Sequence, residues 1–192
     1  MNKYSISQLL KSIFRPLNRK IEKTYDIAKN INPQICSECK GLCCKTCGCH
    51  FSPNDFDKIS YKYLKKELEK GYISIDCIKG ILINESSDIY FLRIRNQNAP
   101  IVDIQSKSKA TCMLLTSKGC LLTYQKRPSG GKLLIPSNKF NNYFGIELRK
   151  CTQTYPIKAC CIDWKPYQKI LKKLCNYFCD KDFKCNAKNE FN

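Results

Sequence analysis

Residues 36 to 50 read Cys36-Ser-Glu-Cys39-Lys-Gly41-Leu-Cys43-Cys44-Lys-Thr-Cys47-Gly48-Cys49-His50. Six cysteines fall within fourteen residues, and the chain's only histidine closes the run. A Cys-x2-Cys step lets two sulfurs point at one centre, because the turn between them reverses the chain at once. Gly41 and Gly48 supply the tight or left-handed backbone that such a knuckle needs. Two plainer readings compete: a set of small buried residues, and the disulfide knot of a secreted chain. No hydrophobic core asks for this spacing, so the stretch is expected to bind metal.

The 192 residues suffice for one domain with a real core, or for a domain with an appendage. Fifteen cysteines bring the chain near the proportion of a disulfide scaffold. Its opening, Met1 to Leu10, nevertheless has no apolar h-region and no small-residue cleavage site. No window approaches the run of about 18 apolar residues that a membrane span takes. We therefore expect no membrane span and a cytoplasmic location, where thiols serve metals better than disulfides. The odd cysteine count leaves at least one outside any pairing.

A formal charge of +18 suggests a polyanionic partner. Two such zinc centres, each with four thiolates, would lower that figure to roughly +14. The basic residues are 28 lysines against 6 arginines, spread over the whole chain. Readers of bases lean on arginine forks and clustered basic faces, so nucleic acid is a weakly supported partner.

Outward from the cluster, residues 1–30 read as a helical segment. Leu9, Leu10, Ile13 and Phe14 form one apolar stripe, and Leu17, Ile21, Tyr25 and Ala28 form a second after the break at Arg15-Pro16. The stripes are short, which favours packing over a membrane-surface role. Downstream, Ser52-Pro53-Asn54-Asp55 signals a helix start, and a solvated helix follows Ser60 and stops at Gly71. Residues 72 to 104 switch to strand grammar: Tyr72-Ile-Ser-Ile alternates, as does Ile89-Tyr-Phe-Leu-Arg-Ile-Arg. Cys77, alone between these runs, reads as a small buried hydrophobe. Arg93 and Arg95 would share a strand face, as an anion site or as the solvent side.

A second cluster runs Cys112-Met-Leu-Leu-Thr-Ser-Lys-Gly-Cys120, with a Lys-Gly turn that lets both sulfurs close on one metal. Gly130-Gly131 only weakly resembles a phosphate-cradling loop, and Lys132-Leu-Leu-Ile-Pro reads as a strand. The tail holds Cys151, the pair Cys160-Cys161, and a helix from about Trp164 or Pro166. On that helix Cys175 and Cys179 stand four apart on one face, with Cys185 beyond. They read as a partial third ligand set or, more simply, as small core residues beside Ile170, Leu171 and Leu174.

The pattern Cys36-x2-Cys39-x-Gly-x-Cys43-Cys44, with Cys112-x-Leu-Leu, Gly119-Cys120-x-Leu and Arg127-Pro128, resembles the bacterial YkgJ-like cysteine-cluster family of zinc- or iron-chelating proteins. The likeness is greatest to its clostridial and bacillar branch, which continues as in Cys47 to Asp55. The stretches Leu92 to Asp103 and Lys126-Arg-Pro-Ser-Gly-Gly also look like that branch. The resemblance covers roughly residues 33 to 170. Many members carry a further cysteine soon after the Arg-Pro, where this chain has Gly130-Gly131; Cys151 is the substitute if one exists. A related cluster accompanies flagellin lysine methylases, which implies a link to protein modification.

We thus expect an α+β fold: a small metal-stapled domain over 31–192 with short strands and a C-terminal helix, preceded by the helical segment 1–30. The ligand candidates are Cys36, Cys39, Cys43, Cys44, Cys47, Cys49, Cys112 and Cys120, with His50 and Cys151 as additional ones. Eight thiolates fill two four-coordinate centres, and zinc or iron, including an iron–sulfur cluster, accepts such a set. Adjacent cysteines such as Cys43-Cys44 suit two neighbouring centres better than one small ion. His50 is either a ligand or a hydrogen-bonding neighbour of the sulfurs. No catalytic residue is assigned: acid pairs, nucleophilic elbows and Cys/His dyads outside the cluster are absent from the sequence. The leading function is metal binding. The alternatives are an iron–sulfur-dependent redox or protein-modification enzyme or accessory factor with a protein partner, and a basic nucleic-acid module with structural zinc.

Overall fold

Helix α1, Tyr61–Glu69, begins where the sequence supplies a cap. The Ser60 hydroxyl accepts from the Tyr63 N–H at 3.3 Å. The helix ends at Gly71, whose φ of +86° is a left-handed stop that a side chain would strain. Leu64 and Leu68, one turn apart, are fully buried on its inner stripe. Upstream, Ser52 and Asp55 form a complete capping box, but it closes a single 3-10 turn, Pro53–Asp55, rather than a longer helix.

In this computed structural model the described residues are 42–45, 48–83, 85–104, 111–117, 119–132, 140–143, 146–149 and 161–181. The expected helical segment 1–30 lies outside them. The described residues form helices and small antiparallel sheets, an α+β class.

Strands β1, Ile73–Ile78, and β2, Ile89–Ile94, pair antiparallel in the register Ile73↔Ile94 to Ile78↔Ile89. Two short strands could not hold alone. Residues outside the ladder extend both of their edges. Val102 bridges Ile75 in parallel, with Ile75 N–H donating to Ile101 O and Asp103 N–H to Ile75 O. On the far edge of β2, Phe51 N–H donates to Leu92 O and Ile94 N–H to Cys49 O, each at 2.8 Å. The side chain of Gln168 occupies the rest of that edge, bonding Tyr90 N–H and Tyr90 O, both at 2.8 Å. Every β2 edge group named here therefore has a partner.

The expected half-buried alternation does not hold, because both strands are buried on both faces apart from Ile78. Arg93 is therefore not on a solvent side. It is fully buried, with Nε donating to Asp76 Oδ2 at 2.8 Å, Nη1 to Ile94 O at 3.0 Å and Nη2 to Asp103 Oδ2. Its anions are internal carboxylates, so the external anion-site reading falls too. Arg95 Nη1 donates to Gly71 O at 3.2 Å, tying the strand to the end of α1.

Small hairpins follow: β3, Leu115–Thr116, with β4, Gly119–Cys120, and β5, Phe140–Tyr143, with β6, Ile146–Arg149. Between them Ser129–Lys132 forms one helical turn, α2, so Lys132 does not begin a strand as expected. Helix α3, Gln168–Lys181, closes the described core. Its Leu171, Leu174, Cys175 and Phe178 form a buried stripe at helical spacing. The helix packs on α1 and β2, and Trp164 before it donates Nε1–H to Phe51 O at 2.7 Å. Among the described residues no helix is long and apolar enough to cross a membrane.

Candidate metal centre

The cysteine-rich loop reaches the core through its last residues. Cys49 and Phe51 are hydrogen-bonded along β2, with His50 opposite Arg93. Gly48 N–H donates to the buried Asn96 Oδ1 at 3.0 Å, just beyond the strand end. Gly48 does not take a left-handed φ. A Cβ there would collide with the Ile94 backbone carbonyl, so its smallness allows close approach.

The same strand end receives the second cluster. Asn96 bridges Cys112, Gln97 N–H donates to Thr111 O at 2.8 Å, and Met113 N–H to Arg95 O at 3.1 Å. Cys112 N–H then donates to Cys44 O at 2.7 Å, so the backbones of the two sequence-distant clusters are joined directly. Cys44 sits in the 3-10 turn Leu42–Lys45. Both Cys44 and Cys112 are buried. Cys120 lies opposite Leu115 across the turn at Gly119, and its Sγ accepts the Leu122 N–H at 3.4 Å.

A third piece packs over Cys49. Asp55 accepts from Ser129 N–H at 2.8 Å and from Ser129 Oγ at 2.7 Å, fixing the start of α2. Gly130 N–H donates to His50 O at 3.0 Å. A Cβ on Gly130 would lie 2.6 Å from His50 O, and one on Gly131 would lie 2.9 Å from Cys49 Sγ. The Gly-Gly pair therefore serves close packing on the cysteine loop and gives an amide to His50, in place of a phosphate cradle. Arg127, at the entrance to this turn, has an Nε that is buried without a hydrogen-bond partner.

His50 is part-buried, its ring tilted against Phe91 with centroids 4.7 Å apart. Burial, and then the Arg93 charge, push its pKa down to about 4, so the imidazole is neutral near pH 7. That is the form in which histidine ligates metals. Burial raises the Asp55 carboxyl above its ordinary value, against opposing hydrogen bonds from Ser129 and Ser52.

Cys44, Cys49, Cys112 and Cys120 are not disulfide-bonded. Cys36, Cys39, Cys47 and Cys151 lie outside the described residues, as does the side chain of Cys43. Among the described residues no group of three or more Cys, His, Asp or Glu side chains is placed to hold a metal ion. Cys44, Cys49, Cys112 and Cys120 are sulfur donors of the kind that zinc or iron accepts.

Farther away, Cys77 and Cys175 are buried thiols, as the plainer reading expects. Cys179 is buried beside them, its Sγ 4.0 Å from that of Cys175, and it is disulfide-bonded to a cysteine other than the described free ones. This differs from the expectation of thiols kept throughout. Cys160 and Cys185 lie outside the described residues, whereas Cys161 is fully buried.

Sequence alone signals neither the Asn96 contact with Gly48 nor the grip of Asp55, read only as part of a helix start, on Ser129. The Arg127-Pro128-Ser-Gly-Gly block enters the sequence reading through the family resemblance and through the weak phosphate-loop likeness of Gly130-Gly131, neither of which signals its packing on the cysteine loop. No family model, curated protein or solved structure matches the chain.

Proposed function

We propose that the chain is a metal-binding cysteine-cluster protein, a small α+β domain stapled by zinc or iron, the latter as ions or as an iron–sulfur cluster. The residues that would hold the metal are Cys36, Cys39, Cys43, Cys44, Cys47, Cys49, Cys112 and Cys120, with His50 and Cys151 as additional candidates. One observation carries the reading most: the backbone of Cys112 is bonded to that of Cys44, while Asn96 bridges Cys112 and accepts from Gly48. Two sequence clusters with ligand spacing are thereby drawn to one strand end, which a set of independent core cysteines does not require. The spacing that resembles the YkgJ-like family agrees with it. When bound, zinc would supply structural cross-linking, and an iron–sulfur cluster would add electron transfer.

The test is metal content by mass spectrometry together with an absorption spectrum, on full-length protein purified without oxygen. About two zinc per chain without colour supports a structural module. Iron with sulfide and a dithionite-bleachable brown chromophore supports a redox centre. Protein that retains neither metal, and takes up neither on reconstitution, refutes the proposal.

A further inference from the structure

We infer that the turn between β1 and β2 docks the chain on an anionic lipid surface. Ile81 and Leu82 enter among the headgroups, and lysines around the base of the turn meet the lipid anions. The inference stands apart from the metal-binding reading.

Ile81 and Leu82 are 85% and 62% exposed, the only large hydrophobic side chains so placed among the described residues. They stand on the 3-10 turn Gly80–Ile83. The turn is closed from within, so its fold holds them outward. Leu82 N–H donates to Lys79 O at 3.0 Å, and Glu85 N–H to Gly80 O at 2.9 Å. Gly80 N–H donates to Asp88 Oδ1 at 3.0 Å. A Cβ on Gly80 would lie 2.6 Å from both Glu85 O and Ser87 O, so only glycine permits this closure.

Cations gather at the base of the turn. Lys79 Nζ lies 2.8 Å from Asp88 Oδ2, and Lys165 Nζ lies 2.5 Å from Glu85 Oε2. Lys172, exposed on α3, also acts on the Asp88 carboxylate through its charge. Three lysines on two carboxylates leave the base net positive, and α3 adds the exposed Lys169 and Lys173. A small apolar tip above a basic rim matches a bilayer with anionic headgroups, where burial and charge attraction act together. Other occupants fit less well. A second copy would bring the same lysines against each other, each chain carrying +18. A stable protein interface takes about 800 Å² per partner, far more than two side chains on a turn supply.

The test is co-sedimentation of the full chain with vesicles of phosphatidylcholine, with and without phosphatidylserine. We expect binding to the anionic vesicles alone, weakened by added salt. The double variant Ile81→Ser, Leu82→Ser should bind about ten-fold more weakly or worse, at an unchanged melting temperature. Lys172→Gln should weaken binding about five-fold, the scale of one lysine at such a surface. Ile81→Trp reports insertion directly: its emission should be quenched by lipid brominated in the acyl chain, against the fixed background of the fully buried Trp164. That quenching decides the matter should the serine pair lower the melting temperature. Absence of binding to anionic vesicles overturns the inference. So does binding that the serine pair leaves intact with the Ile81→Trp emission unquenched, which is adsorption by charge alone. Self-association abolished by the serine pair, without vesicle binding, gives the tip to a second copy and overturns it as well.

Discussion

Replacing Arg93 with methionine tests whether the core depends on its buried charges. The guanidinium joins three pieces of chain: it lies on β2, bonds Asp76 on β1, and bonds Asp103 in the segment paired to the outer edge of β1. The side chains of Asp76 and Asp103 are only 4% and 3% exposed. Methionine fills much of the volume but leaves both carboxylates buried without their cation. Removing one partner of such a buried set costs about 3–5 kcal/mol, a large share of a typical total of about 5–15 kcal/mol. With a urea dependence of about 2 kcal/mol/M, the unfolding midpoint should fall by about 2 M. The assay is urea unfolding at fixed metal content and neutral pH, followed by Trp164 fluorescence. The companion is the triple variant Arg93→Met, Asp76→Asn, Asp103→Asn, which removes the charges together. It should recover a good part of the loss, because the single variant suffers chiefly from orphaned charge. A midpoint shift below about 0.5 M, or a triple variant no more stable than the single one, refutes the reasoning.

Gly130→Ala should destabilise by about 1–3 kcal/mol, since its Cβ would meet the His50 backbone carbonyl at 2.6 Å; thermal unfolding reads it, and a wild-type melting temperature counts against the tight docking. Asp55 gives a pH dependence of defined sign. Its folded pKa is raised, chiefly by burial, so its contribution is fully present below the unfolded value near 3.8 and is lost as pH rises through the folded value. Wild-type stability relative to Asp55→Asn should therefore decline on going upward from pH 3.8, and a difference independent of pH contradicts the assignment. Burial pushes the Cys77 thiol to about 12 and Cys175 to about 11, so both should resist iodoacetamide in the native chain at pH 8. Peptide mapping that finds either one rapidly labelled would count against that burial. Cys39→Ser should loosen the fold broadly if metal binding and folding are coupled, lowering the melting temperature well beyond what a thiol-to-hydroxyl change outside any metal site costs; an unchanged melt sinks the stapling idea.

Local chemistry made part of the fold legible. The Ser60 cap, the Gly71 stop, the lone buried Cys77 and the helix after Trp164 follow from residue type and spacing. The errors arose where distant chain segments decide. Arg93 looked like a surface or ligand-binding arginine because alternation assigns it a face, yet Asp103 arrives from another segment to bury that face. The Ser52 box was correct, but Phe56 returns to extended backbone and limits it to one turn. For the candidate centre, spacing put forward Cys44, Cys49, Cys112 and Cys120 as ligand candidates, while nothing local announced Asn96, whose side chain meets Gly48 from far along the chain.

The position of Cys49 gives the stapling proposal its physical content. Its carbonyl completes the β2 edge while its sulfur faces the space beside Gly131, so one residue belongs to the core ladder and to the candidate centre. Phe51, two residues on, is buried against Phe56 and accepts from Trp164, which leads into α3. A shift of the Cys49 backbone is therefore not confined to the cysteine loop. It must pull on the β2 edge on one side and on the aromatic contacts that seat α3 on the other. In a close-packed interior such displacements are resisted, so the hydrophobic core would hold the ligand loop in place as much as a metal would hold the core.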